Sequence, residues 1–483
     1  MAFNMSTRQQ TIIFPSVIDD YVPTDAPVRV YDAFVDALDF TELGIDLNPN
    51  PNGGADEYYP KDMVKLLVYG VSYGIHSTHK LERACHDNLS FIWLMGGLAP
   101  DYRTIARFRS TYKEAIKKIL KQCVRLCMKL DLIEGNVLFI DGSKFRADAS
   151  INNTWTKERC EKLIHKIDER IDQLMDALDK ADAEKEPGES FVKIKEQIHD
   201  KAKLVNRMKD VLTELKTQKK ESINLTDRDS VKGKTRQGTH AIHNVQSVVD
   251  GKHGLIVHVE AVSQSNDYNQ LSAQVNNAIE TTGKKPHDVC ADAGYADVDD
   301  IKKIAEGINV VVPSHRQAQE ENDRCPVKPF AKEHFVYDRS KDEYICPEGK
   351  RLKFQDIPEA GKIRYQANGG DCQSCPRFGD PQNGGCTKSP SGRRIIRLTD
   401  EDFKEQLEAN YKLPENQAIY KLRKETVEHP FGHMKRNLGA GQFLLRGTPK
   451  VNSQVALLGT CFNIARMITI LGIPELLKKL TGC

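Results

Sequence analysis

Between residues 60 and 130 apolar side chains recur every three to four positions, as at Met63, Leu66, Leu67 and Val71, and glycine is scarce before the Met95-Gly96-Gly97 break. That spacing predicts a run of amphipathic helices. Pro100-Asp101-Tyr102-Arg103-Thr104 reads as a turn and cap that opens one more helix. At Val137 the pattern becomes a continuous apolar run, VLFID, which predicts a short buried strand ended by Gly142 with Asp141 at its C-terminal end. Over 157–220 it changes again: Cys160, Ile164, Ile167, Ile171, Leu174 and Leu178 step by 4, 3, 4, 3, 4, the seam of a two-stranded helical packing. Glu186-Pro187-Gly188 breaks the seam, and Ile194, Ile198, Val205, Met208, Leu212 and Leu215 resume it, predicting an inserted helical hairpin with solvated charged faces.

After Asn224 the segments HNVQSVVD and GLIVHVEAV flank an Asp250-Gly251 turn and read as a β-hairpin. A polar helix through Leu271–Ile279 leads to HDVCADAGY, where a second short strand delivers Asp292, followed by a helix from Val298 and the strand INVVVP. The order strand, hairpin, helix, strand, helix, strand is that of a ribonuclease H-like α/β core, a mixed sheet flanked by helices, provided the first strand and the hairpin pair across the insertion. The expected division is a helical, basic N-terminal domain at 1–132, core segments at 133–156, 223–315 and 401–483, the inserted hairpin at 157–222, and an inserted Cys-rich, zinc-ribbon-like module at 316–400.

The 483 residues allow about three domains. A 39% hydrophobic and 29% charged composition is that of a packed protein, and a net charge of +2 announces neither nucleic acid nor membrane. The neutral total conceals local excess. Residues 60–130 hold thirteen Lys and Arg against five acids, and Tyr420–Lys450 holds seven against two. Such patches suit phosphate contacts, with Arg103 and Arg107 on one side of the helix after Pro100, Arg109 and Lys113 following them, and Arg436 and Arg446 in the second patch. A solvated basic surface is the bland alternative. The opening MAFNMSTRQQTIIFP lacks a secretory pattern, and the longest apolar window, Val455–Ile473, contains Asn463 and Arg466, so a buried helix is expected there and a cytoplasmic, nucleoid-associated protein overall.

In a reducing compartment the twelve cysteines favour metal over disulfides. Cys346, Cys372, Cys375 and Cys386 fall within 41 positions, enough for a four-thiolate zinc site, with Cys325 an alternative ligand. Cys85, Cys123, Cys127, Cys160, Cys290 and Cys461 sit in apolar patterns and read as core residues. Among the acids, Asp141, Asp292 and Glu428 stand out, the last in YKLRKETVEHPFGHMK. Tyr420, Lys424 and Glu428 are four apart and share a helix face, which Lys435 joins if the helix continues through Pro430 and Gly432. Three carboxylates from remote segments suit a pair of hard divalent cations and phosphodiester chemistry. Asp148, Asp250 and Glu425 are the competing acids, each better read as a turn or helix-surface residue.

FIDGSKFRADAS, CADAGY and VEHPFGHMK…FLLRG resemble, in order, the three catalytic blocks of the DDE transposases of bacterial insertion sequences. YPKDMVKLLVYG, LERACHDNLSFIWLMGG and PDYRTIARFR resemble the N-terminal domain of the same family. The resemblance implies two Mg²⁺ or Mn²⁺ ions on Asp141, Asp292 and Glu428, accessory roles for Tyr420, Arg423 and Lys435, double-stranded DNA as partner (terminal inverted repeats and target), and a homodimer that joins two element ends. Four residues separate Arg423 from Glu428 where the family pattern has three, which turns Arg423 about 100° away and brings Lys424 forward as a substitute. Two readings from other classes remain: a ribonuclease H-like nuclease without strand transfer, and a catalytically silent, transposase-derived DNA-binding protein.

Overall fold

The computed structural model describes residues 17–48, 57–183, 189–217, 220, 222–321, 330–381 and 384–482. The chain divides into two compact units, the first drawn from Met1–Asp267, Asn277–Lys285 and Glu425–Cys483, the second from Tyr268–Asn276 and Pro286–Lys424.

The first unit opens with helices α1 (Pro27–Asp36), α2 (Phe40–Leu43), α3 (Pro60–Ser72), α4 (Thr78–Asp87), α5 (Leu89–Leu94), α6 (Tyr102–Thr111) and α7 (Lys113–Lys129). The expected cap is present: the Asp101 carboxylate accepts the Thr104 N–H at 2.6 Å and starts α6. In α7 the buried residues Ile116, Ile119, Leu120, Cys123, Val124 and Cys127 recur at helical spacing, a single apolar stripe.

Strand β1 (Val137–Arg146) follows. It does not end at Gly142, so Asp141 lies mid-strand; β1 pairs antiparallel along its whole length, Asp141 facing Ser247 and Gly142 facing Gln246. A glycine passes here because a side chain from elsewhere fills the space its own would take: a Cβ on Gly142 would lie 2.2 Å from Asp267 Oδ1. The short ribbon β2 (Thr154–Thr156) and β3 (Ser222–Asn224) brackets the inserted helices α8 (Lys157–Ala183) and α9 (Glu189–Thr217). Cys160, Met208, Val211, Leu215 and Ile223 form the hairpin's basal core; Cys160, Met208 and Leu215 belong to the predicted seam, Val211 and Ile223 do not, and the Glu186-Pro187-Gly188 break lies outside the described residues.

Next come β4 (Val231–Thr235), β5 (Gly238–Asp250) and β6 (Ile256–Val262). β5 is the shared strand: β1 runs along one edge, while β4 and then β6 line successive stretches of the other, all antiparallel. β4 had no counterpart in the sequence reading. After α10 (Leu271–Thr282) the second unit holds the parallel pair β7 (Asp288–Ala291) and β8 (Asn309–Val311), joined through the four-residue helix α11 (Val298–Ile301). Strands of mixed direction flanked by helices, behind a helical N-terminal region, make an α/β core.

Helix α12 (His315–Glu321) leads to the Cys-rich segment, a five-stranded antiparallel sheet of β9 (Val336–Asp338), β10 (Glu343–Ile345), β11 (Arg351–Glu359), β12 (Lys362–Ala367) and β13 (Arg394–Leu398), with the one-turn helix α13 (Gly369–Gln373) between the last two. Tyr344, Leu352, Tyr365, Ala367 and Ile395 are its buried face. Helix α14 (Glu401–Tyr411) precedes α15 (Pro414–Arg436), which carries Pro430 internally and still runs on to Arg436.

Helices α16 (Thr448–Leu471) and α17 (Ile473–Thr481) close the chain. α16 is long and apolar enough to cross a membrane, yet 67% of that window is buried inside the protein. Its polar residues explain the choice. Asn463 accepts the Ile256 N–H and donates to the Ile256 carbonyl, both at 2.8 Å, and Asn452 accepts the Ala261 N–H at 2.6 Å. These amides satisfy the outer edge of β6, which would otherwise expose unpaired backbone groups.

Candidate active site

Along β1 alternate residues share a face of the sheet, so Asp141, Ser143 and Phe145 stand together. The C-terminal half of α15 meets this face. Lys435 Nζ donates to Ser143 Oγ at 2.6 Å and lies 4.5 Å from the centre of the Phe145 ring, and the Phe431 ring packs against the same ring at a tilt, 6.3 Å between centres. Burial, then the positive charge of Arg236, push the Lys435 ammonium below its ordinary pKa against the opposing pull of Asp141. The helix bearing Glu428 is therefore fastened to the strand bearing Asp141. Glu428 itself is exposed, seven residues before Lys435 and so on the same side of α15.

On the opposite face of β1, behind Gly142, Asp267 Oδ1 accepts from Asn244 Nδ2 at 2.8 Å and Gln246 Nε2 at 2.7 Å. Sequence reading missed Asp267 because it lies in a polar loop, SQSNDYNQ, without periodicity.

In the second unit Asp292 follows β7 directly, and its carboxylate caps the next turn by accepting the Gly294 N–H at 2.8 Å. Tyr420 and Arg423, on the first half of α15, lie close to it electrostatically. Burial raises the Tyr420 phenol, Arg423 draws it down, and Asp292 pushes it up again. The Cys290 thiol, two residues before Asp292, is pushed up to about 12, chiefly by burial. Arg423 is half-buried and lies 5.6 Å from the Tyr420 ring centre, whereas Lys424 is exposed. Of the two, Arg423 is the residue next to the Asp292 cluster, although its spacing to Glu428 departs from the family pattern.

Two of the competing acids have structural tasks. Asp250 is buried and accepts the Gly135 and Lys252 N–H groups at 2.7 and 3.0 Å. Asp148 accepts Arg446 Nε at 2.9 Å, and Glu425 is a surface residue of α15. Among the basic residues, Arg103, Arg107 and Arg436 are exposed and Lys113 is half-buried. Arg109 is held by the fold: it is half-buried and donates to the His76 carbonyl at 3.1 Å.

In the Cys-rich segment Cys346, Cys372, Cys375 and Cys386 line one cavity of about 30 Å³, and none is in a disulfide. Three of the sulfurs accept backbone N–H groups: Cys346 from Lys350 at 3.2 Å, Cys372 from Arg393 at 3.4 Å and Cys375 from Arg377 at 3.5 Å. Burial, with the neighbouring thiols adding to it, raises Cys386. The donor chemistry fits a thiophilic metal, but among the described residues no group of three or more His, Cys, Asp or Glu is drawn to ligand spacing. Cys325 lies outside the described residues.

Residues 16–111 match a family described as Transposase domain (DUF772), and residues 345–468 match one described as Transposase DDE domain. Both matched families are transposase domains. The second match spans the Cys-rich segment, Glu428 and most of α16, while Asp141 and Asp292 lie between the two matches. No curated protein and no solved structure matches the chain. DNA is the partner that these domains imply.

Proposed function

We propose that this transposase binds the terminal inverted repeats of an insertion sequence and cuts and joins DNA there by a DDE mechanism on a ribonuclease H-like core. The observation that carries the reading is the attachment of the Glu428 helix, inside the Transposase DDE domain match, to the Asp141 strand through Lys435 and Ser143. Asp141, Asp292 and Glu428 are the proposed catalytic carboxylates. All three are oxygen donors outside the hydrophobic core, the chemistry that Mg²⁺ or Mn²⁺ requires. Divalent ions bound there would activate the attacking water or 3′-hydroxyl and stabilise the departing oxygen.

The chain's own groups hold and neutralise. Lys435 presents a cation beside Asp141, and Tyr420 and Arg423 support the end of β7. In this reading Arg103, Arg107, Lys113, Arg436 and Arg446 contact DNA phosphates, while Arg109 positions the fold around His76. Two ends must be joined, so the active assembly is a homodimer. The four thiols would hold one structural Zn²⁺, and the N–H···S bonds to Cys346, Cys372 and Cys375 are those expected around thiolate ligands.

The test is product analysis on duplex DNA carrying a labelled element end with its flank. Transposition yields a freed 3′ end and then that end joined to a second duplex. Cleavage without joined product would make the chain a nuclease, and DNA binding without cleavage would make it a silent DNA-binding protein.

A further inference from the structure

From Ser230 to Val249 the chain has no acidic residue, yet it carries Lys232, Lys234 and Arg236 within five positions. All three are exposed, and among the described residues none forms an ion pair. They occupy the β4–β5 hairpin. Lys232 pairs with Ala241 and Lys234 with Thr239. Ala241 alternates with His243, which pairs with Phe145 on β1. The lysines therefore stand on the face of the sheet that presents Phe145, Ser143 and Asp141. Gly233, between them, points the other way, where the Ile242 side chain fills the space a Cβ would need, 2.3 Å away.

The hairpin's tip is built rather than loose. Thr235 Oγ1 donates to the Gly238 carbonyl at 3.0 Å and accepts the Gln237 N–H at 3.2 Å, and Gly238 takes a φ of +117°. Arg236 at that tip is near enough to Lys435 to depress its pKa. Side chains two residues apart on a strand are about 7 Å apart, too far to share one phosphate. An acid-free ribbon of cations on the same face of the sheet as Asp141, with the β5 partner of Lys232 six residues along from the partner of Asp141, matches a polyanion lying across that face.

We propose that the β4–β5 hairpin is a DNA-backbone clamp, in which Lys232, Lys234 and Arg236 each hold a phosphate of the duplex beside Asp141. The proposal rests on the transposase reading and adds the surface that seats the scissile strand. The test uses the full chain with K232A, K234A and R236A combined, and a fluorescent duplex carrying an element end, titrated at several salt concentrations. Loss of three phosphate contacts lowers the slope of log K against log salt by roughly 2.7 and, relative to a 1 M salt reference, weakens binding at 0.1 M salt by about 500-fold. The charge-preserving variant K232R/K234R/R236K retains both slope and affinity. A photocrosslinker in place of Gln237 should label DNA within a few nucleotides of the cut.

If wild type binds DNA but the triple Ala variant keeps its affinity and slope, or if the crosslinks fall away from the cut, the clamp is wrong and the transposase reading stands. If wild type binds no duplex at all, both fall. Should the triple variant fail to fold, R236A alone carries the test through one lost contact.

Discussion

Gly142→Ala is the perturbation whose size the structure sets most directly. The new methyl group would sit 2.2 Å from Asp267 Oδ1 and 2.7 Å from Gln246 Nε2, so something must move. A carboxylate at the end of a side chain moves easily in isolation, but this one is held by the Asn244 and Gln246 amides, both buried. Displacing it removes charge-assisted hydrogen bonds from buried donors, each worth about 1–3 kcal/mol. Because Asn244 also donates to the Asn266 carbonyl, part of its cost is recovered. The expected loss is about 2–4 kcal/mol, local to β1 and β5. A chain of two units does not melt in one step, so hydrogen exchange of the β1–β5 amides is the assay. It should accelerate by about 30- to 700-fold, since each 1.4 kcal/mol is tenfold. Asp267→Ala should cost a similar amount, and adding Gly142→Ala to it should cost little more, because the clash is gone. Unchanged exchange in Gly142→Ala, or fully additive losses in the double variant, would refute the reasoning.

Purified protein should carry about one zinc per chain, and Cys372→Ser with Cys375→Ser should release it and loosen β9–β13; metal analysis that finds no zinc in folded protein sinks the site. Changing Arg103 and Arg107 together to Ala should weaken binding to element ends more than to random duplex, in mobility-shift titrations at two salt concentrations. Equal affinity for both DNAs in wild type and variant would move end recognition elsewhere. Lys435 has a folded-state pKa below its ordinary 10.5, so the unfolded chain binds more protons across the interval between them and the stability this residue contributes rises with pH there. Lys435→Met should flatten that rise in denaturant titrations at alkaline pH; an unchanged profile assigns it to other groups.

The elements legible in the sequence were those whose burial imposes a period: α3 and α7, the 4-3-4-3 seam of α8 and α9, and the apolar runs of β1, β5 and β6. The end of β1 was misjudged at Gly142 because a glycine after an apolar run looks like a stop, and only the pairing with β5 reveals that Asp267 occupies its side-chain space. β4 escaped notice because VKGKT has no hydrophobic alternation; backbone pairing at a sheet edge holds it. β11 was hidden likewise, since from Lys353 to Glu359 it is exposed throughout. For the site, Asp141 and Asp292 were singled out because apolar runs stop at them; Asp292 does follow its strand directly, whereas Asp141 lies within β1. What the polar residues do could not be read: Arg109 and Asp148 are ordinary charges in sequence and become structural only through His76 and Arg446, hundreds of positions away in the second case.

The central claim is that Asp141, Asp292 and Glu428 carry the chemistry. The most direct measurement is magnesium-dependent cleavage of a duplex spanning an element end and its flank, by wild type and by Asp141→Asn, Asp292→Asn and Glu428→Gln, with Asp148→Asn as the matched control and DNA affinity measured on every protein. The account predicts cleavage by wild type and Asp148→Asn and none by the other three, all five binding DNA with closely similar affinity. Wild-type cleavage rates in any of the three carboxylate variants would contradict it.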